Sequence, residues 1–187
     1  DTLAMTSNGA RLAAQAVALR QAGLQQINIS LDSLDPDRFH AMTRTGELAD
    51  VLAGIDAAIA AGFPRIRLNV VILQGRNDQD VLALVAFALA KGIDLAFIEE
   101  MPLGVIDDHD RAQTMLTSAA LRVMIEPHHA LLPEGADYRS GPATYYRVAG
   151  SQTRLGFISP HSHNFCGDCN RVRLTAEGRL LLCLGHE

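Results

Sequence analysis

The chain has 187 residues, 48% of them hydrophobic, and a net charge of −5 from 16 Lys and Arg against 21 Asp and Glu. That is the size of one ordinary domain, with enough apolar content to bury a core. The acidic balance excludes nucleic acid as the main partner, because phosphate-backbone binding needs clustered cations, and no run of about eighteen apolar residues suggests a membrane span.

Leu3 to Thr6 is predicted to be a short buried strand. Asn8-Gly9 then opens a helix through Leu12, Ala16, Leu19 and Ala22, with Gly23 as its stop. Gln26 to Leu31 is the next strand, and Asp35-Pro36 starts a short helix with Pro at its first position. From about Glu47 to Ala61, apolar residues at Leu48, Val51, Leu52, Ile55, Ala58 and Ile59 have helical spacing. Ile66 to Leu73 is a nearly continuous apolar run, which predicts a parallel strand buried on both faces. A helix through Val81, Leu84, Val85 and Leu89 follows from Asp78 to Gly92, then a fourth strand at Leu95 to Ile98.

Each main helix ends in a glycine followed by an apolar residue, Gly23-Leu24, Gly62-Phe63 and Gly92-Ile93. The repeated strand, helix, glycine, strand order is a βαβ series and implies a parallel sheet with right-handed crossovers. About four parallel strands are too few to close a barrel of eight. The expected fold is therefore α/β, an incomplete TIM-type (β/α) barrel over residues 1–104, with the Leu3 strand leaving an unpaired edge. Residues 105–187 are expected to be an excursion, holding a helix near Ser118 to Glu126 and a strand at Leu155 to Ser159, that leads to a C-terminal β-hairpin. In such folds working residues sit where strands end, which singles out Thr6, Ser30, Asn69 and Glu99 to Met101.

All three cysteines, Cys166, Cys169 and Cys183, lie in FCGDCNRVRLTAEGRLLLCL as C-x2-C-x13-C. An odd count, with no basic start or apolar core of a secretory signal in DTLAMTSNGARL, argues against disulfides and for a cytoplasmic chain. Arg171, Arg173 and Thr175 alternate on one face of a strand, and Ala176-Glu177-Gly178 suits a three-residue hairpin loop. That loop pairs Thr175 with Arg179, Arg173 with Leu181 and Arg171 with Cys183, whereas a two-residue turn sends Cys183 to the other face. The spacing indicates metal and leaves two readings open. One is structural zinc, with His161, His163 or His186 as fourth ligand, and the other is an iron–sulfur cluster with one iron open.

CGDCNRVRLTAEGRLLLCL resembles the C-terminal cluster motif of the GTP 3',8-cyclase (MoaA) family of radical S-adenosylmethionine enzymes. MTSNG, INISLDSL, RLNVVILQGRND and FIEEMPLG agree with that family in order. The resemblance implies a lyase of molybdenum-cofactor biosynthesis that converts GTP to 3',8-cyclo-7,8-dihydro-GTP. It implies a 4Fe-4S cluster on Cys166, Cys169 and Cys183, S-adenosylmethionine contacts at Ser30 and Met101, and GTP contacts at Thr6, Arg67, Arg171 and Arg173. A homodimer is implied for the parent enzyme. Position 67 is Arg where the family is expected to have a triphosphate-binding Lys, and Ala96 stands where some members have Arg. The family's N-terminal C-x3-C-x2-C, which holds a second 4Fe-4S cluster, has no counterpart before Cys166, and its glycine-rich tail has none after Glu187. The chain is therefore read as an internal piece, expected to be inactive alone. The rival readings are a zinc-stabilised binding module and another radical enzyme with an auxiliary cluster.

Single residues have plainer readings too. Glu99-Glu100 is expected to be a solvated strand end or helix cap rather than an acid/base pair. His161 and His163 are expected to be polar loop residues unless the metal is zinc. Asn69, inside an apolar strand, needs a hydrogen-bond partner.

Overall fold

Apolar side chains at every second position draw β2 (Gln26–Ser30), β3 (Arg65–Val71) and β4 (Asp94–Ile98) into one parallel sheet, which β1 (Ala4–Ser7) extends beside β2. The computed structural model describes residues 2–101, 109–135, 141–163 and 171–182. Ile27, Ile29, Ile66, Leu68, Val70, Leu95 and Phe97 all project to one face, where they form a single core with the helices. Those helices are α1 (Leu12–Gln21), α2 (Pro36–Thr43), α3 (Leu48–Ala60) and α4 (Val81–Lys91).

The glycine stops act as expected. Gly23, Gly62 and Gly92 have φ of 98°, 71° and 65°. The next residue then turns back, as Leu24 N–H donates to Leu19 O at 3.1 Å and Ile93 N–H to Ala88 O at 3.1 Å. Asp35 caps α2 by accepting from Arg38 N–H at 2.9 Å. Gly54 lets α3 lie close to the chain entering α1: a Cβ there would sit 2.6 Å from the Gly9 carbonyl oxygen.

Three expectations need correction. The parallel strands number five among the described residues, not four, because β7 (Arg154–Ile158) pairs parallel with β4. Nor is the stretch from Gly104 to Thr144 only an excursion. Among its described residues are a short helix, α5 (Arg111–Thr114), and α6 (Ser118–Ile125), which packs on α4 and adds Leu121 and Ile125 to the core. It also holds β5 (Leu131–Pro133), which pairs antiparallel with β6 (Thr144–Val148), and β6 pairs antiparallel with β7. The sheet order is β1-β2-β3-β4-β7-β6-β5. Strands of three and five residues with polar members give too short a pattern for periodicity to register.

The third correction concerns burial. β3 is buried on one face only, alternating with half-buried Arg65, Arg67, Asn69 and Val71. β1 is partly exposed throughout, as a strand with one neighbour in the described sheet.

Near the C-terminus β8 (Arg173–Leu174) and β9 (Leu180–Leu181) pair antiparallel, Arg173 opposite Leu181. Thr175 N–H donates to Arg179 O at 2.9 Å, and Gly178 takes φ 81°. Of the two registers weighed, this is the one set by the three-residue loop.

Candidate functional site

The face of the sheet opposite the helices is polar, and parallel register stacks its side chains in rows. One row runs Thr6, Asn28, Arg67, Asp94, and the next Ser30, Asn69, Ala96, Gly156, Tyr145. In INIS the two isoleucines face the helices, so Asn28 and Ser30 must face the other way. Gln26 Nε2 donates to Asn28 Oδ1 at 3.2 Å, and Asn28 Nδ2 donates to Thr6 Oγ1 at 3.3 Å. Arg67 Nε donates to Asn69 Oδ1 at 3.1 Å, and its Nη1 to the Tyr145 hydroxyl at 2.7 Å. Asn69 thus has its partner. Ala96 and Gly156 are the small residues between Asn69 and Tyr145. A Cβ on Gly156 would lie 2.8 Å from the Tyr145 ring, so glycine is what allows that ring its place.

Asp94 anchors this face. It accepts Arg154 N–H at 3.1 Å and both Nε (3.3 Å) and Nη2 of the Arg154 guanidinium, with Arg65 Nε at 3.6 Å. The same guanidinium lies over the Tyr145 ring, 4.9 Å from its centroid.

The loops at the C-terminal edge are tied to each other. Asn77 is fully buried, donating to the carbonyls of Asp32 and Val71 at 2.7 and 3.0 Å and accepting Leu73 N–H at 2.8 Å. Asp80 receives Arg38 through Nε at 2.9 Å and Nη2 at 3.0 Å, and the Ser33 hydroxyl at 2.5 Å. Burial pushes the Asp32 carboxyl above its ordinary pKa, against the lowering effect of Val71 N–H, which donates to it at 2.8 Å.

Glu99 corrects the expectation of a solvated strand end. It is 1% exposed and accepts from Ser118 N–H (2.8 Å), Ser162 N–H (2.9 Å), His161 N–H (3.2 Å) and the Ser162 hydroxyl (2.5 Å). Burial alone would raise its pKa. The donors, the Ser162 hydroxyl foremost, outweigh burial and hold the carboxylate below its usual range. Glu99 therefore ties β4, α6 and the loop after β7 together. Glu100 is also largely covered, its side chain 9% exposed and His109 Nε2 at 2.8 Å.

Thr6, Ser30 and Arg67 share the polar face, and Met101, 39% exposed, lies just beyond the end of β4. Arg173 is half-buried in β8, preceded by exposed Arg171. Cys166, Cys169 and Cys183 lie outside the described residues. Among those described, no three His, Cys, Asp or Glu side chains converge as for a metal, and no helix is long and apolar enough to cross a membrane. Sequence reasoning missed Asn28, Tyr145, Asp94 and Arg154. Alternation in INIS could have yielded Asn28. Tyr145 and Arg154 required knowing how β6 and β7 pair.

Residues 1–88 match the model of the Radical SAM superfamily, and residues 93–187 that of Molybdenum Cofactor Synthesis C. The chain is 58% identical to a GTP 3',8-cyclase of Ectopseudomonas mendocina (strain ymp) over 187 residues, which is 100% of this chain and 56% of that protein. It is 60% identical to GTP 3',8-cyclase 1 of Pseudomonas aeruginosa over 186 residues, 99% of this chain and 56% of that one. The corresponding Marinobacter nauticus protein is 58% identical over 184 residues, with 98% and 56% covered. The chain thus spans about half the length of the curated relatives it matches. A solved structure titled "Structure of TYW1 with a lysine-pyruvate adduct bound" superposes with TM-score 0.48 at 18% identity, over 73% of this chain and 44% of that one. From the match over residues 93–187, with a radical SAM segment ahead of it, the chain belongs to the Molybdenum Cofactor Synthesis C family.

Proposed function

We propose that this chain is part of a GTP 3',8-cyclase, which converts GTP to 3',8-cyclo-7,8-dihydro-GTP in the first step of molybdenum-cofactor synthesis. The observation that carries the reading is Arg67, a cation braced by Asn69 and Tyr145 on the same face as Thr6 and Ser30. A guanidinium fixed by two neutral partners keeps its charge for an anion, and its remaining donors suit phosphate oxygens. Thr6 and Arg67 contact GTP, Arg171 and Arg173 add cationic contacts from the hairpin, and Ser30 and Met101 hold S-adenosylmethionine. Winding supports an incomplete (β/α) barrel over residues 1–104: β1 to β4 are adjacent in chain order with one shared core on one face. Residues 105–187 add the cluster segment, and the parent enzyme acts as a cytoplasmic homodimer.

Three thiolates, Cys166, Cys169 and Cys183, are the donor set of a 4Fe-4S cluster with one iron unligated by protein. Cys166, Cys169 and Cys183 would hold such a cluster, which would supply an open iron for a nitrogen- or oxygen-bearing ligand, and bound S-adenosylmethionine would supply hydrogen-abstracting radical chemistry. The chain's own residues orient both nucleosides at fixed separation and keep water out. No C-x3-C-x2-C occurs in the 187 residues, so the chain alone is expected not to turn over. In the parent, that motif holds the second cluster.

Anaerobic purification with metal and sulfide analysis, followed by GTP titration, tests this reading. Iron with sulfide, and GTP binding weakened by Arg67→Ala, are expected. Stoichiometric zinc with no GTP binding overturns it in favour of a zinc-stabilised module. Iron without GTP binding favours another radical enzyme with an auxiliary cluster.

A further inference from the structure

Glu100 lies just past Glu99, beyond Ile98 at the end of β4, and its side chain is 9% exposed. Its Oε1 accepts from His109 Nε2 at 2.8 Å and faces Arg111 Nε at 3.4 Å. On the other side of the imidazole, Arg76 Nη1 lies 3.2 Å from His109 Nδ1. Arginine can only donate, so Nδ1 accepts and the ring proton sits on Nε2, facing Glu100. Two polar side chains thus orient one carboxylate oxygen, and Arg76 steadies one of them from behind. The other, Oε2, is buried and has no hydrogen-bond partner among the described residues.

A buried carboxylate oxygen without a donor is costly, and a native fold keeps one where something else completes it. The next residue, Met101, is 39% exposed, so a single step of backbone leads from this anchored group to accessible surface. We propose that Glu100 is a further ligand-binding residue, its Oε2 accepting a hydrogen bond from an N–H or O–H group of a nucleoside bound at this edge. Both S-adenosylmethionine and GTP carry such donors. The inference rests on the function proposed above and adds a contact that the resemblance does not assign.

The test is Glu100→Gln in the anaerobically reconstituted protein containing this chain, titrated separately with S-adenosylmethionine and with GTP. Glutamine keeps an acceptor for His109 but turns an amide N–H toward the ligand donor. The expected result is a loss of about tenfold or more in affinity for one nucleoside, the other staying within about twofold, with unchanged thermal unfolding. The nucleoside affected identifies the donor. Equal affinity for both in a folded variant overturns the proposal while leaving the cyclase reading intact. So does a parallel loss of both together with a lowered melting temperature, which marks a structural role. A wild-type protein that binds neither overturns both. Should Glu100→Gln not fold, Glu100→Asp, which draws the carboxylate back by one carbon, is expected to show the same selective loss, and unaltered binding there overturns the proposal.

Discussion

Arg67 and Tyr145 are 78 positions apart in the chain, yet the Arg67 Nη1 lies 2.7 Å from the tyrosine hydroxyl. The contact joins β3, in the parallel part of the sheet, to β6, in the antiparallel part. It crosses the row that Ala96 and Gly156 keep small. Tyr145→Phe removes one acceptor and leaves the ring beneath Arg154. GTP affinity is expected to fall about 3- to 10-fold, the worth of one hydrogen bond, with little change in unfolding midpoint. Isothermal titration beside a urea melt checks both. A large loss of stability with intact binding would mean the contact braces the sheet only.

Arg67→Lys and Arg67→Ala separate charge from shape. An ammonium keeps the charge but cannot fork to Asn69 and Tyr145 as the guanidinium does. Lysine is expected to retain GTP binding within about fivefold, and alanine to lose about tenfold or more, as for a hydrogen-bonded charge. Equal losses in both variants would show that the fork, not the charge, binds the nucleotide.

Much of this fold was legible because the signals were local. The glycine after each crossover helix marks its own stop, and Asp35-Pro36 carries its cap and first turn in adjacent residues. Thr6, Ser30 and Asn69 could be placed at strand ends from the βαβ order alone, whereas the expectation of a β3 buried on both faces hid the polar face that carries Arg67. What was not legible depended on pairing between distant segments. Arg154 reads as an unremarkable cation until β7 is known to lie beside β4, where Asp94 meets it. Glu99 reads as a solvated carboxylate because its four donors come from residues 19 to 63 positions away. Periodicity reports which face a residue takes, and not which partner waits there.

Asp94 is expected to be the costliest polar position in the sheet. It is 8% exposed, and its removal takes from the Arg154 guanidinium, which lies over the Tyr145 ring, its hydrogen-bonded carboxylate and leaves, among the described carboxylates, only Glu134 at 3.9 Å. Breaking one side of a buried pair costs about 3–5 kcal/mol, against about 0–1 kcal/mol for an exposed pair such as Lys91 with Asp56. Asp94→Ala should therefore lower the unfolding free energy severalfold more than Asp56→Ala. Denaturant titration of both variants checks the order.

Gly54→Ala poses two opposed effects on α3. Alanine gains about 1 kcal/mol in helix propensity over glycine. Its Cβ, however, would lie 2.6 Å from the Gly9 backbone oxygen and 3.1 Å from Leu12 Cβ. Backbone cannot swing aside as a side chain tip does, and overpacking of this kind costs about 1–3 kcal/mol. Gly9, at φ 81°, is poorly placed to move. Net destabilisation is expected, and a more stable variant would show that the two segments separate easily.

The two shifted carboxylates predict opposite slopes of stability with pH. Glu99 has a folded pKa below its unfolded one, so its contribution is complete above the unfolded value and is lost as pH falls through the lower folded value. Asp32 has a folded pKa above its unfolded one, so its contribution is complete below the unfolded value and is lost as pH rises through the higher folded value. Glu99→Gln should flatten the acid limb of a stability–pH curve, at a cost in stability near neutrality, because the amide cannot accept from four donors as the carboxylate does. Asp32→Asn should raise stability near neutrality relative to acid conditions, since an amide oxygen still accepts from Val71 N–H without carrying a buried charge. Chemical denaturation at stepped pH values, from strongly acidic to neutral, reads both limbs. Parallel curves for wild type and both variants would show that neither carboxylate titrates differently in the folded chain.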